Sequence, residues 1–393
     1  MVKVIILILF LLILGFFTFV GLFGDLPSNN GTWIHKSHII LAKSYKYFLN
    51  GVNYADHKLF NGYFTSPKVV QKVKWFAFWC IPIFYLFIMG ECLKLFFTET
   101  YPQILHYDHL TNWKTRMIFI IIPTLTTNFF VFLFAVFTDA GHLNQENFHK
   151  YQFLFPLDNI IYHSYNCSTC HIPKIARSKH CSTCDKCILL FDHHCIWLNN
   201  DVGYYNYRYF LLFLMTTMII LSYGGFLCVY SIHLFISNES NLPDLFKAGW
   251  FFQRYYYVIN QSTWSNLVSG LLFMMCSLLG PAVGAFLIEH FKMIYLGVTT
   301  NETAKWDYVH DLMINGWLFK YEYKIGNDIN QEYVILNRII QGNKEYVKLS
   351  DNSVIFLTAN DRLTAITSWN QLDNLYDRGF WQNLKDRFFP QYV

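Results

Sequence analysis

Apolar residues fall in blocks along this chain rather than being spread evenly. Five blocks are long enough to cross a hydrocarbon core, which takes about 20 residues of helix. They run roughly over Val4–Gly24, Trp75–Leu95, Met117–Phe137, Phe210–Ile232 and Leu267–Glu289. The first has the flavour of a secretory leader, but leader cores run about 7–15 residues. This one continues from Val4 to Val20 with no small-x-small cleavage site, so it reads as an uncleaved anchor; its removal would leave four spans. A different period appears near the C-terminus. Tyr333–Ile340, Glu345–Leu349 and Ser353–Leu357 are short alternating runs, separated by Gly342-Asn343 and Asp351-Asn352. They predict a small β-meander inside residues 304–370, a segment that opens as a helix.

Composition agrees with the blocks. Of 393 residues, 54% are hydrophobic and only 14% charged, against about 25% charged in soluble domains. Disorder and a disulfide-stapled miniprotein are both excluded. The formal charge of +4 leaves no basic stripe of the kind nucleic acid requires. The expected fold class is therefore an all-α polytopic membrane protein of about five transmembrane helices. Its segments are an anchor at 1–24, a basic Tyr-rich loop at 25–74, helices two and three at 75–137, a polar loop at 138–208, helices four and five at 209–296, and a tail at 297–393.

Lys and Arg orient the bundle, because they concentrate on the cytosolic side. Successive loops hold 7, 2, 6 and 2 of them, and the stretch after the fifth block, from residue 290 on, holds 11. The alternation puts 25–74, 138–208 and the tail in the cytosol. Ionisable groups near span ends need no special role: Glu91 and Lys94 lie three apart, where they pair on one helical face. Gly280-Pro281-x-x-Gly284 reads as a kink with close helix packing. With neither a buried charge pair nor paired broken helices, a transporter is disfavoured.

Six of the ten cysteines fall between positions 167 and 195. They read Cys167-x-x-Cys170, His180-Cys181-x-x-Cys184-x-x-Cys187 and Asp192-His193-His194-Cys195. In a reducing cytosolic loop these are not a disulfide framework. Cys-x-x-Cys pairs with interposed His have the spacing that presents thiolates to tetrahedral zinc, and metal would supply much of the loop's folding free energy. Cys167, Cys170, His180, Cys181, Cys184, Cys187, His194 and one further ligand would fill two four-coordinate sites. His193 and Cys195 are then left as an imidazole–thiol pair beside Asp192, the arrangement that activates a nucleophilic thiol. The alternative is that all of them bind metal.

In these residues the chain resembles the DHHC-type protein S-acyltransferases (palmitoyltransferases). Asp192-His193-His194-Cys195, followed by Trp197, Asn200, Gly203, Asn206 and Phe210, matches that family's pattern in order and spacing. Asp139-Ala140-Gly141 is similar to its Asp-Pro-Gly, and Thr299-Thr300-Asn301-Glu302 to its Thr-Thr-x-Glu. Asn374-x-Tyr376-Asp377-x-Gly379, with Asn383 and Phe388, resembles its C-terminal segment. The resemblance implies transfer of a long acyl chain from acyl-CoA (palmitoyl-CoA) through a Cys195 thioester to juxtamembrane cysteines of membrane proteins. His193 and Asp192 are the catalytic partners it implies, and Trp197 and Thr300 the substrate-binding groups. A palmitoyl chain at about 0.8 kcal/mol per methylene would cost on the order of 12 kcal/mol to expose to water, so it would stay among the spans.

Two structural zinc ions are implied as well. The first would take Cys167, Cys170, His180 and Cys187; the second would take Cys181, Cys184, His194 and the residue six after Cys195. That residue is Asp201, where the family carries Cys. Carboxylate oxygen binds zinc at about 2.0–2.2 Å, so ligation by Asp201 is expected. Ile196 also departs from the family's Pro after the nucleophile, and Ala140 from the Pro of Asp-Pro-Gly. Within the family, the extra N-terminal span, the Trp197 context and Lys305-Trp306-Asp307 resemble the fungal endoplasmic-reticulum branch, which acts on transmembrane SNAREs. The implied location is the endoplasmic reticulum, with the Golgi as a second choice and the cysteine-rich domain facing the cytosol. The rival from another class is a non-catalytic zinc-bearing membrane scaffold or chaperone.

The charge alternation makes a testable prediction. In sealed microsomes, protease added outside should cut the 138–208 loop and spare residues 237–266. The reverse pattern would invert the orientation.

Overall fold

The computed structural model describes residues 20, 31–63, 65–238, 251–325, 328–340, 343–357, 361–372 and 374–391. The block expected at Val4–Gly24 lies outside the described residues apart from Val20. Among the described residues, four helical stretches are long and apolar enough to cross a membrane: Lys68–Tyr107, Trp113–Phe137, Tyr207–Asn238 and Trp264–Tyr295. Each encloses one of the other four expected blocks and extends it at one or both ends.

The chain divides into two compact units, Met1–Trp79 and Cys80–Val393. The first contains helix α1 (Trp33–Phe60), capped by the Thr32 side chain, which accepts from the His35 N–H at 3.4 Å. It also contains the start of α2 (Pro67–Leu95). In the second unit α2 runs through a π turn at Phe96–Thr100 into α3 (Tyr101–Tyr107). A short α4 (Trp113–Arg116) leads through a second π turn, Met117–Ile121, into α5 (Ile122–Phe137). The longest helices are α7 (Tyr207–Asn238) and α9 (Trp264–Tyr295), which pack against each other; α8 (Phe251–Gln261) lies between them in sequence.

Several polar groups buried among the helices pair with one another, as a hydrocarbon setting favours. The Asn128 amide donates to the hydroxyls of Thr216 and Thr217 at 2.9 Å. Gln103 donates to the Ser231 carbonyl and to Asn266 Oδ1 at 3.1 and 2.8 Å, and Thr100 and Ser269 share a 2.9 Å bond. Small residues let the backbones approach: a Cβ on Gly225 would lie 3.0 Å from the Cys276 Cβ. Pro281 sits inside α9 without ending it, and the Gly284 position meets Met218 at 3.4 Å. Glu91 and Lys94 pair at 3.2 Å in exposed positions.

Between α5 and α7 lies a small cysteine-rich lobe. Strands β1 (His142–Leu143), β2 (Lys179–Cys181) and β3 (Lys186–Ile188) form one sheet in the order β1-β3-β2, and β4 (His193–Cys195) pairs with β5 (Asn200–Val202). The short helix α6 (Phe148–Tyr151) precedes the first cysteine pair. Its core is Leu143, Ile172, Ile175, Leu189, Leu190 and Tyr204 together with Cys167 and Cys187, a small apolar centre for a lobe of this length.

After α9 come α10 (Thr300–Ile314) and an antiparallel five-stranded sheet in the order β10-β6-β7-β8-β9. Its strands are β6 (Leu318–Ile325), β7 (Asp328–Ile340), β8 (Asn343–Lys348), β9 (Val354–Ile355) and β10 (Arg362–Ala365). The three predicted runs fall on β7, β8 and β9, although β7 starts earlier than its run and β9 is shorter. Strands β6 and β10 were not anticipated, although Leu318, Tyr321, Tyr323 and Ile325 mark β6 as a strand of mixed apolar and charged residues. A final helix α11 (Phe380–Phe388) returns to the end of α9.

The lobe docks on the end of α5 without space to spare. A Cβ on Gly203 would stand 2.5 Å from the Ala140 carbonyl oxygen and 2.7 Å from Ile188 Cγ2. Overpacking of this kind costs about 1–3 kcal/mol, so Gly203→Ala should lower the melting temperature of the detergent-solubilised protein. A Gly203→Ala variant that melts with the parent would refute the close docking.

Candidate active site and metal centres

Strand alternation organises the Asp192–Cys195 segment. Successive side chains of a strand point to opposite faces, so His193 and Cys195 share one face of β4 and His194 takes the other. The β4–β5 register pairs His193 with Val202, His194 with Asp201 and Cys195 with Asn200. Asp201 therefore lies opposite His194 by backbone pairing. The hairpin turn between the strands is held by the Leu198 N–H donating to the Cys195 carbonyl at 3.1 Å. Asn199 there adopts φ 49°, the left-handed conformation that Asn tolerates.

On the His193 face the imidazole Nδ1 lies 2.8 Å from Asp192 Oδ2. Asp192 is buried and is held from behind by Thr300, whose N–H reaches Oδ1 at 3.1 Å and whose hydroxyl reaches Oδ2 at 2.6 Å. Thr300, expected among the substrate-binding groups, thus gives both of its donors to Asp192. Cys195 is buried, whereas Ile196 and Trp197 on the following turn are 43% and 50% exposed. The His193 ring packs at 5.2 Å against Phe210 of α7 and at 6.4 Å against Phe286 of α9.

Electrostatics follow from these contacts. Burial acts to raise the Asp192 carboxyl, but the His193 hydrogen bond and the nearby His193, His290 and Arg387 outweigh it and hold the acid well below the usual range. Burial works against a charged His193; hydrogen bonds to Asp192 and Cys195 win and hold it up at about 10. A proton arriving on His193 is therefore held well, because the Asp192 carboxylate stabilises the imidazolium that forms.

On the other side of the lobe, donor atoms gather in two groups. Cys167, Cys170, His180 and Cys187 bring one donor each within 4.8 Å of one another, and so do Cys181, Cys184, His194 and Asp201. These are the two sets expected from sequence, Asp201 included. Both groups are built on the same turn. The second Cys N–H donates to the first Sγ, at 3.4 Å for Cys170 to Cys167 and 3.5 Å for Cys184 to Cys181. The next residue is left-handed in each, His171 at φ 54° and Asp185 at φ 55°. His180 turns Nδ1 toward Cys170 Sγ at 3.3 Å while its Nε2 faces the Asp185 carboxylate at 3.4 Å. A carboxylate behind a metal-binding imidazole fixes its ring and tautomer. His194 Nδ1 lies 3.4 Å from Cys184 Sγ and 2.9 Å from Asp201 Oδ1. Thiolate-rich sets with imidazole and carboxylate fit tetrahedral zinc.

Helix α10 ties the site to the last span. Thr299 and Glu302 form a capping box, and Glu302 also takes a bidentate bond from Arg177 at 2.7 and 2.6 Å and one from the Tyr162 hydroxyl at 2.9 Å. Arg177 stacks over Tyr376 at 4.7 Å and donates to the Gly297 carbonyl at 2.8 Å. The C-terminal segment meets backbone carbonyls at and just past the end of α9. Asn383 donates to Ile294 at 2.9 Å, Asn374 to Leu296 at 3.0 Å, and Arg387 to Val298 at 3.0 Å. Sequence reasoning missed Arg177, Arg387 and His290. An intramembrane histidine is by default a functional signal, but the expected fifth block stopped at Glu289, one residue short of His290; the burial of Glu302, which demands a cation, emerges only from the fold.

Comparison with known proteins gives a consistent result. The DHHC palmitoyltransferase family pattern matches residues 160–307. Over 374 residues, 94% of this chain and 95% of the relative, the sequence is 33% identical to palmitoyltransferase SWF1 of Candida albicans. It is 29% identical over 397 residues to palmitoyltransferase SWF1 of Yarrowia lipolytica, covering 98% of this chain and 97% of that one. With palmitoyltransferase swf1 of Schizosaccharomyces pombe it shares 28% identity over 383 residues, 95% and 93% of the two chains.

The Arg177–Glu302 pair yields a prediction. Breaking a buried ion pair costs about 3–5 kcal/mol, so Glu302→Gln should destabilise the protein strongly. Burial opposes the charged Glu302, but Arg177 beside it holds the carboxyl below its ordinary 4.5. The depressed value means that the stability it contributes is complete above pH 4.5 and is lost as pH falls through the folded value. Melting curves between pH 3 and 7 should converge for parent and Glu302→Gln at the acid end. A constant gap would count against the pair.

Proposed function

Because the chain belongs to the DHHC palmitoyltransferase family, and so is a protein S-palmitoyltransferase of the membrane, we propose that Cys195 is its nucleophile and His193, oriented by Asp192, its proton carrier. The observation that carries this is the shared face of β4, with the thiol and imidazole together and the Asp192 carboxylate 2.8 Å from Nδ1. In the first half-reaction the Cys195 sulfur attacks the thioester carbon of palmitoyl-CoA, a carbon–sulfur bond forms, and the bond to the CoA sulfur breaks. His193 takes the Cys195 proton and gives it to the departing CoA thiolate. In the second, His193 deprotonates a substrate thiol, the new thiolate attacks the acyl-enzyme, and Cys195 leaves with the proton. Asp192 keeps the imidazole in one tautomer, and Thr300 keeps Asp192 in place. Trp197, half-exposed beside the nucleophile, faces the arriving substrates, and the acyl chain lies among the spans near Phe210 and Phe286.

The two ligand groups are read as structural zinc sites. Zinc bound there would supply cross-links that a lobe with so small an apolar core lacks. Cys167, Cys170, His180 and Cys187 hold one ion; Cys181, Cys184, His194 and Asp201 hold the other. The lobe faces the cytosol, where acyl-CoA is found. Endoplasmic-reticulum residence and transmembrane SNARE substrates with juxtamembrane cysteines are the finer assignments; they rest on the likeness of the N-terminal apolar block, the Trp197 context and Lys305-Trp306-Asp307 to the fungal endoplasmic-reticulum branch.

Labelling with alkynyl palmitoyl-CoA tests the chemistry. Cys195→Ala should abolish hydroxylamine-sensitive auto-acylation with zinc content unchanged. His193→Ala should slow acylation by about 100-fold or more and also keep its metal, whereas His194→Ala should lose metal and fold together. Equal zinc loss in all three variants would favour the scaffold reading. At the second site, Asp201→Cys should retain two zincs and activity, and Asp201→Ala should fall towards one zinc per chain. Two tightly held zincs in Asp201→Ala would remove that carboxylate from the ligand set.

A further inference from the structure

Behind His193, inside the last span, sits a histidine that the reaction above does not use. His290 of α9 is fully buried. Its Nδ1 shares a 3.0 Å hydrogen bond with the Tyr207 hydroxyl, and its Nε2 is buried with no hydrogen-bond partner. The ring lies 5.9 Å from that of His193, and it meets Phe210 and Phe286 edge-on at 4.9 and 4.6 Å. If packing were the whole requirement, phenylalanine would fill this place without burying an unpaired polar atom, which costs about 1–3 kcal/mol.

We propose that Asp192, His193 and His290 form an additional site for a zinc-type divalent transition-metal ion, and that occupation of this site blocks acyl transfer. One donor atom from each of the three lies within 4.8 Å of the other two. Two imidazoles and a carboxylate are a donor set that zinc accepts. A tetrahedral ion with bonds of about 2.0–2.2 Å spaces its ligands by about 3.3–3.6 Å, so the three close on the metal by roughly an ångström or less.

Each ligand has the capacity. A carboxylate offers about four lone-pair directions; the Thr300 N–H and hydroxyl occupy two on Asp192, and the ion takes the place of the proton between Asp192 Oδ2 and His193 Nδ1, which leaves the His193 proton on Nε2. With a metal on Nε2 of His290, Nδ1 carries the proton and donates to the Tyr207 oxygen. That hydroxyl is then the outer partner that fixes a metal-bound imidazole. The site differs in kind from the two cysteine groups. It has no thiolate and only three protein ligands, so it binds less tightly, exchanges with the medium and keeps an open position.

Binding itself rests only on this geometry. The blockade also rests on the proposed role of His193: an imidazole committed to a metal cannot accept the Cys195 proton. The two parts separate experimentally. The full-length protein in nanodiscs is dialysed at low, chelator-buffered free Zn2+ until its zinc content is constant, and free Zn2+ is then raised stepwise. Zinc per chain is read by plasma mass spectrometry, and auto-acylation is read in parallel. One additional zinc per chain is expected, with loss of acylation along the same curve. His290→Phe, His290→Gln and Asp192→Asn should each remove that additional zinc or need at least tenfold more free Zn2+. Constant resident zinc certifies that each variant is folded. Absence of an additional equivalent, or its retention at unchanged half-saturation in the folded variants, overturns the site. An additional zinc that the variants lose, but that leaves acylation untouched, overturns the blockade and the reading of His193 as base, and leaves the site standing.

Discussion

The bond between Arg177 and Glu302 is the contact on which the active centre depends. Neither charge has access to water, and an unpaired charge in such a place is costly by several kcal/mol. Arg177 belongs to the cysteine-rich lobe and Glu302 to the first turn of α10, so the pair fixes a lobe to the helix that follows the last span. With Glu302 in place, the capping box sets Thr299 and Thr300 at the helix start. Thr300 then reaches Asp192 with both donors, and Asp192 holds His193. The chain of dependence runs from an ion pair, through a helix cap, to the orientation of one imidazole.

Much of this was legible in the sequence, for reasons of differing strength. Apolar blocks announce spans because nothing else in a chain needs 20 uninterrupted apolar residues, and four of the five blocks lie within described helices. Cysteine spacing marked seven of the donors, the family resemblance divided them into two sets and pointed to Asp201, and strand register sets Asp201 opposite His194. What the sequence concealed were partnerships across long separations. Nothing near Arg177 marks it as the partner of a residue 125 positions later. His290 was passed over because the expected fifth block ends at Glu289, one residue before it, whereas the helix runs on to Tyr295. Strand β6 was missed because Lys320, Glu322 and Lys324 interrupt its apolar residues, while pairing along β7 makes it a strand all the same.

The bundle shows a division of labour between packing and polarity. The α7–α9 contact is close where glycine meets a neighbouring side chain, as at Gly225 and Gly284. Elsewhere short polar pairs such as Thr100 with Ser269 and Asn128 with Thr216 and Thr217 join helices from different parts of the chain. In lipid such bonds add only modest energy each, about 0.6 kcal/mol on average, and their value lies in register. They allow each span little freedom to slide along its neighbour, and so keep Phe210 and Phe286 level with His193.

One small contact gives this register a meaning outside the protein. The Asn200 amide donates to the carbonyls of Ala135, Val136 and Thr138, at 3.1, 3.1 and 2.9 Å, where α5 leaves its helical path. Asn200 is also the backbone partner of Cys195 in the β4–β5 hairpin. Cys195 is therefore hung from the end of a membrane span, one strand spacing away. Its altitude above the lipid is set by where a helix stops and not by the slack of a loop. A lengthening of α5 by a single residue would lift the Cys195 sulfur by about 1.5 Å and swing it by about 100°.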